Sequence, residues 1–128
     1  MREVEEIKDL VVKALEDMKA VDLKVLDVRG TSSVTDFMVI VSGTSDRHVK
    51  AMANNVVVEA KKQGIQPLGV EGDKVCEWVL VDLGDVVVHV MLPDVRDFYQ
   101  LEKLWETGSI EELAEARPAE RGERRTRS

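Results

Sequence analysis

Few residues of this 128-residue chain carry side chains that chemistry needs, and their spacing says more than their number. His48 and His89 are its two histidines and Cys76 its single cysteine. His89 sits in an apolar run, where an imidazole would serve as a general base or a zinc ligand. No histidine lies three or four residues away, and one imidazole without partner ligands makes no metal site. His48 falls in the first turn of a helical pattern, a place for capping or solvent. Cys76 has only Lys74 as a nearby cation, so nothing activates its thiolate. Asp82 and Asp85 bracket Gly84 and suggest a divalent metal. A two-metal nucleotidyl-transfer site, however, needs acids converging from adjacent strands, and the next position on the same strand face is Leu80. Asp85 is also what a tight turn prefers. The stretch Ser42-Gly43-Thr44-Ser45 leads from a strand pattern into a helix pattern, and its amides could hold an anion. It lacks both Gly-x-Gly-x-x-Gly and Gly-Lys-Ser/Thr, and a capped turn explains it equally well. The expectation is no catalytic residue, no metal and no cofactor.

The elements that position these residues follow from periodicity. Val4, Ile7, Val11, Leu15 and Met18 form one apolar stripe, predicting a helix over about residues 3–19. Residues 22–28 read as a strand with a charged side. Residues 37–41 are apolar without a break, which predicts a strand covered on both faces. A second helix carries Val49, Met52, Ala53, Val56 and Ala60 inward, with Thr44, Ser45 or Asp46 as its cap and Gly64 at its end. A short strand is expected at 68–70. Two apolar runs then flank Gly84-Asp85, a hairpin signal. Counting back from that turn sets Leu83 opposite Val86, Val81 opposite Val88 and Val79 opposite Val90, an aliphatic face. The other face carries Trp78, Leu80 and Asp82 opposite Met91, His89 and Val87. After Pro93, a short helical segment places Val95, Phe98, Leu101, Leu104 and Trp105 on one stripe, and residues 110–116 form an acidic turn. The order implies a small mixed α/β sheet flanked by helices.

Apolar residues make up 44% of the chain and charged residues 34%, a balance that supports one packed domain. No apolar run approaches the roughly 20 residues of a bilayer span. With acidic residues spread through 1–20, no signal or transit peptide is expected, and the lone cysteine excludes an internal disulfide. The expected compartment is cytoplasmic. The formal charge of −7 is unevenly spread: residues 117–128 hold five arginines against two glutamates, leaving the other 116 residues at −10. An acidic body repels phosphate backbones, so another protein is the better docking surface. Residues 1–108 are read as the domain, and 109–128 as an acidic turn with a disordered Arg-rich tail.

Several blocks, taken together, are specific. Asp22-Leu-Lys-Val-Leu-Asp-Val-Arg-Gly30 is followed by Ser32-Ser-Val-Thr-Asp-Phe-Met-Val-Ile40, then Gly43-Thr-Ser-Asp-Arg-His48 and Gly69-Val-Glu-Gly72. Trp78-Val-Leu-Val-Asp-Leu-Gly-Asp-Val-Val-Val-His89 and Asp97-Phe-Tyr-Gln-Leu-Glu-Lys-Leu-Trp105 complete the series. Over about residues 4–106 the chain resembles the bacterial ribosomal silencing factor family, also called Iojap-like. Phe37, Met91 and Lys103 depart from the residues common there.

The resemblance implies a fold distantly like nucleotidyltransferases but without their catalytic acids. It also implies binding to large-subunit ribosomal protein fourteen, a steric block to small-subunit joining, and repression of translation under nutrient limitation. A homodimer is expected when the protein is free and a monomer on the ribosome, with only weak ribosomal RNA contact by the tail. The residues expected to meet the partner are Trp78, Leu80, Asp82, His89 and Met91 from the mixed face, joined by Arg96, Tyr99 and Glu102. Trp78, Leu80 and Met91 would supply apolar contact, and Asp82 and Glu102 would pair with the partner's basic residues. The rival expectation is a nucleotidyltransferase-like enzyme using residues 42–46 for phosphate and Asp82 or Asp85 for metal.

Overall fold

A strand that is apolar on both faces needs cover on both, and the central strands of this sheet receive it. The structure, a computed structural model, describes residues 3–118. Its elements run α1 (Val4–Glu16), β1 (Val21–Asp27), β2 (Phe37–Ser42), α2 (Asp46–Lys62), β3 (Gly69–Glu71), β4 (Trp78–Asp82), β5 (Val86–Met91), α3 (Pro93–Tyr99), α4 (Leu101–Glu106) and α5 (Ile110–Glu115). The sheet order is β1-β2-β5-β4-β3. Only the central β2–β5 pair is parallel; the β1–β2, β3–β4 and β4–β5 pairs are antiparallel. Every residue of β2 and β5 is buried, as expected for strands sandwiched between helices.

One sheet face carries Phe37, Val39, Val41, Val79, Val81, Val86, Val88 and Val90 against Ile7, Val11 and Leu15 of α1 and Val49, Met52 and Val56 of α2. The other face carries Leu26, Met38, Ile40, Trp78, Leu80, Val87 and Met91 against Leu101 of α4 and Leu113 of α5. The hairpin register is the one counted from the turn: Trp78 faces Met91, Val79 faces Val90 and Leu80 faces His89. Gly84 adopts a φ of +92° there, a value glycine reaches without strain. Arg29 clasps Asp27 (Nη2–Oδ2 2.7 Å) and lies 4.6 Å above the Phe37 ring. Its hydrogen bonds hold the exposed Asp27 carboxyl below its ordinary pKa.

Three departures from the sequence reading bear on the site. The stripe after Pro93 is not one helix: Gln100 takes a left-handed φ of 50° and splits it into α3 and α4. The break shifts the helical phase, so Leu101 is buried while Phe98 is 79% exposed and Trp105 40%. The boundary expected at residue 108 cuts through a packed layer, because Leu113 and Ala114 of α5 are buried and Leu113 joins the second core. Finally, β3 is Gly69–Glu71, shifted by one residue from the expected strand. The remainder of the Arg-rich tail, residues 119–128, lies outside the described residues.

Candidate partner-binding site

The mixed hairpin face has a polar pair at its centre. Trp78 and His89 lie on adjacent strands, and the Trp78 indole N–H donates to His89 Nδ1 at 2.9 Å. An indole nitrogen only donates, so Nδ1 must be the acceptor and the proton of the neutral imidazole sits on Nε2. His89 is fully buried, and its Nε2 is the one buried side-chain nitrogen or oxygen without a hydrogen-bond partner among the described residues. An unmet buried donor costs about 1–3 kcal/mol. Burial holds the imidazole at a pKa of about 3, with the Arg117 charge adding to the effect. This ring is neutral at physiological pH and has no solvent path for proton transfer.

The residues of this face expected to meet a partner directly are instead covered in the free protein. Trp78, Leu80, His89 and Met91 are all buried, because Tyr99 stacks on Trp78 at 4.8 Å between ring centroids and Leu101 and Leu113 close over the strands. Trp78 is therefore core in the free protein. Asp82 is half-buried, and its Oδ1 accepts the Gly84 N–H at 2.8 Å, so it braces the hairpin turn. Glu102 is likewise not a free carboxylate. Its Oε2 takes two hydrogen bonds from the buried Arg96, from Nε at 3.0 Å and from Nη2 at 2.6 Å. Arg96 Nη1 donates to Ser42 Oγ at 3.0 Å. This clamp ties α3 to α4 across the Gln100 break and to the end of β2.

What remains outside is the surface of the helical layer. Phe98 stands edge-on to Tyr99 with centroids 5.0 Å apart and is otherwise open. A cleft of about 600 Å³ is lined by Asp22, Asp94, Asp97, Glu102 and Glu106, with Arg96, Lys103 and Ser42 among its other walls. Five carboxylates against two cations make the cleft acidic, a surface suited to Lys or Arg side chains.

The rival chemistry fares worse. At the 42–46 turn, Thr44 N–H donates to His48 Nδ1 (2.9 Å), His48 N–H to Ser45 Oγ (3.1 Å) and Arg47 N–H to Asp46 Oδ1 (2.8 Å). The Thr44, Arg47 and His48 amides are thus engaged locally, and the Gly43 N–H donates to the Met91 carbonyl. Gly43 has a packing role instead, since a Cβ there would come within 2.9 Å of Val49 Cγ2 and 3.0 Å of Met52 Cε. His48 Nε2 reaches the Met18 carbonyl at 2.7 Å, so this imidazole pins α1 to α2. Asp85 uses its backbone carbonyl to accept from Asp36 and Phe37. Among the described residues no three His, Cys, Asp or Glu side chains gather as a metal site. Cys76 is buried, donates to the Asp73 carbonyl, and has its thiol pushed up by that burial.

Comparison with known proteins decides the family. The family model described as ribosomal silencing factor during starvation matches residues 1–128. The chain belongs to the ribosomal silencing factor family. Within that family, a ribosomal silencing factor from Chromobacterium violaceum is 50% identical over 103 residues, covering 80% of this chain and 84% of that one. One from Haemophilus influenzae is 47% identical over 97 residues, covering 76% and 95%. A crystal structure of a Chromobacterium violaceum protein, 50% identical, superposes with a TM-score of 0.81 over 82% of this chain and 88% of that chain. The mixed sheet with helices on both faces is thus the family's fold.

Sequence reasoning missed three parts of the site. In the sequence Ser42 figures only in a turn whose amides could hold an anion, and its role as an acceptor for Arg96 depends on a contact across 54 residues. Phe98 and Trp105 share one apolar stripe with Leu101 in the sequence, and no glycine or proline at position 100 signals the break that exposes them. Arg117 was assigned to the tail, yet its Nε lies 3.5 Å from Glu71 Oε2 on β3.

Proposed function

We propose that this protein is a translation repressor of the cytoplasm. It binds large-subunit ribosomal protein fourteen on the free large ribosomal subunit and sterically keeps the small subunit from joining under nutrient limitation. The family match over residues 1–128 is the observation that carries this reading. Charge supports it, since a body of −10 complements the basic surface of a ribosomal protein and is repelled by bare RNA. The contact surface we assign is the second helical layer and the hairpin face beneath it. Exposed Phe98 and Trp105 with half-buried Tyr99 supply apolar anchors, and Asp94, Asp97 and Glu106 on the cleft meet basic side chains. Arg96 and Glu102 hold this surface in shape, Asp82 holds the turn, and Trp78, Leu80, His89 and Met91 form the apolar floor. The activity needs no nucleotide, metal or bond chemistry, only occupancy of the subunit face. When free, the protein forms a concentration-dependent dimer that gives way to a monomer on the large subunit.

Co-sedimentation with separated subunits, followed by a reassociation assay, tests the proposal. The protein is expected in the large-subunit fraction only, and pre-bound protein is expected to lower the yield of joined ribosomes. Binding to small subunits instead, or full joining with the large subunit saturated, would overturn it.

A further inference from the structure

The last described stretch, residues 110–118, packs on the second core through a short helix and the three residues after it. Its helix α5 has six residues and no side-chain hydrogen bond at its N-cap, too short to persist without tertiary support. That support comes from Leu113 and Ala114, from partly buried Ile110 and Ala116, from a buried Pro118, and from one ion pair between half-exposed groups, Arg117 Nε and Glu71 Oε2 at 3.5 Å. Pro118 lies against Gly72, where a Cβ would meet both the Trp78 carbonyl oxygen and the proline ring. The stretch therefore runs over the β3–β4 edge beside Trp78, and Leu113 shares a core with Trp78, Leu80 and Met91. Its apolar side chains meet the apolar needs of this face. They leave the one polar need unmet, because His89 Nε2–H stays without an acceptor.

A segment that matches a face in hydrophobicity but not in hydrogen bonding is a replaceable occupant. We infer that residues 110–118 form a strap that covers, in the free protein, part of the surface its partner uses. The partner lifts it with a segment that puts an apolar side chain in the place of Leu113 and a carbonyl or carboxylate oxygen opposite His89 Nε2. The inference rests on the protein-partner reading above and adds to it both a self-blocking element and the chemistry that displaces it. A partner that must open the strap binds with its intrinsic affinity reduced by the open fraction, so loosening the strap tightens binding.

The test uses the full chain with the Arg117→Glu substitution, which sets a second carboxylate opposite Glu71, and the charge-swapped pair Glu71→Arg/Arg117→Glu, which restores attraction. For Arg117→Glu, faster hydrogen exchange at the Leu113 amide, a red-shifted Trp78 emission (read in a Trp105→Phe background) and at least threefold tighter binding to isolated large subunits are expected. The swapped pair is expected to return all three toward wild type. Leu113→Gln is the second route to opening and is expected to act in the same direction. Large-subunit binding that is unchanged or weaker while exchange shows an open strap would overturn the inference, as would exchange that stays slow in both Arg117→Glu and Leu113→Gln. A variant that dimerises more strongly without binding the subunit more tightly would also overturn it, by giving the face to a second copy. If wild-type protein itself ignores the large subunit, the partner reading fails, a result distinct from wild-type binding that Arg117→Glu does not improve.

Discussion

A histidine sealed under a core with one nitrogen satisfied has a consequence that pH reads directly. In the unfolded chain His89 takes up a proton near its ordinary pKa of 6.5, whereas in the fold burial holds it at about 3. Between those values the unfolded state binds one more proton than the native state. The contribution is therefore present in full above about pH 6.5 and lost progressively as the pH falls toward 3, at up to about 1.4 kcal/mol per pH unit for one proton. Urea denaturation of wild type and His89→Phe at several pH values between 5 and 6.5, above the range of ordinary carboxylates, isolates it. The variant is expected to have a stability slope shallower by one proton, and equal slopes would show that His89 titrates normally. The same residue shows what the sequence can and cannot say about this site. Alternation about Gly84-Asp85 was enough to place Trp78, Leu80, His89 and Met91 on one face in the correct register. Whether that face met water or a helix was not legible, because cover comes from Tyr99, Leu101 and Leu113, whose positions depend on a chain reversal at Leu92-Pro93 and a break at Gln100.

Strands and long helices were readable because each has a periodic face and a conventional stop, whereas the layer α3–α5 is built from helices of six or seven residues. Helices that short take their direction from side-chain anchors, and here the anchor is Arg96. It ends α3 on Ser42 of β2 and begins α4 on Glu102, so one guanidinium fixes both sides of the Gln100 break. Arg96→Ala would leave the Glu102 carboxylate partly buried and unpaired. Breaking such a pair is expected to cost about 3 kcal/mol, the low end for buried pairs, since Glu102 keeps some exposure. A fall in the urea midpoint with an unchanged slope checks the size of the effect. The location is checked by hydrogen exchange, which should quicken first in α3 and α4 and leave the α1–α2 layer protected. Uniform loss of protection would mean that the two layers unfold as one and the clamp has no local role.

At the scale of the whole molecule the governing quantity is charge. The chain totals −7, but the positive charge is gathered at its end, and residues 119–128 alone hold four arginines against two glutamates. On a large ribosomal subunit those arginines would find phosphate, and each neutralised phosphate would steepen the salt dependence of binding. The body, by contrast, presents the aromatic side chains Phe98 and Trp105, whose burial against a protein would survive moderate salt, together with an acidic cleft whose pairing with basic groups added salt would screen. If protein contact anchors the complex, removing residues 119–128, which leaves the strap and its Arg117–Glu71 pair in place, is expected to weaken large-subunit binding less than tenfold, under about 1.4 kcal/mol. It should also make the decline of affinity with added salt shallower. Titrating wild-type and shortened protein against isolated large subunits at three salt concentrations measures both quantities. A hundredfold loss at physiological salt would make the tail the anchor and ribosomal RNA the partner, and the acidic cleft would then have to be read as a means of keeping the body off the RNA while the tail holds on.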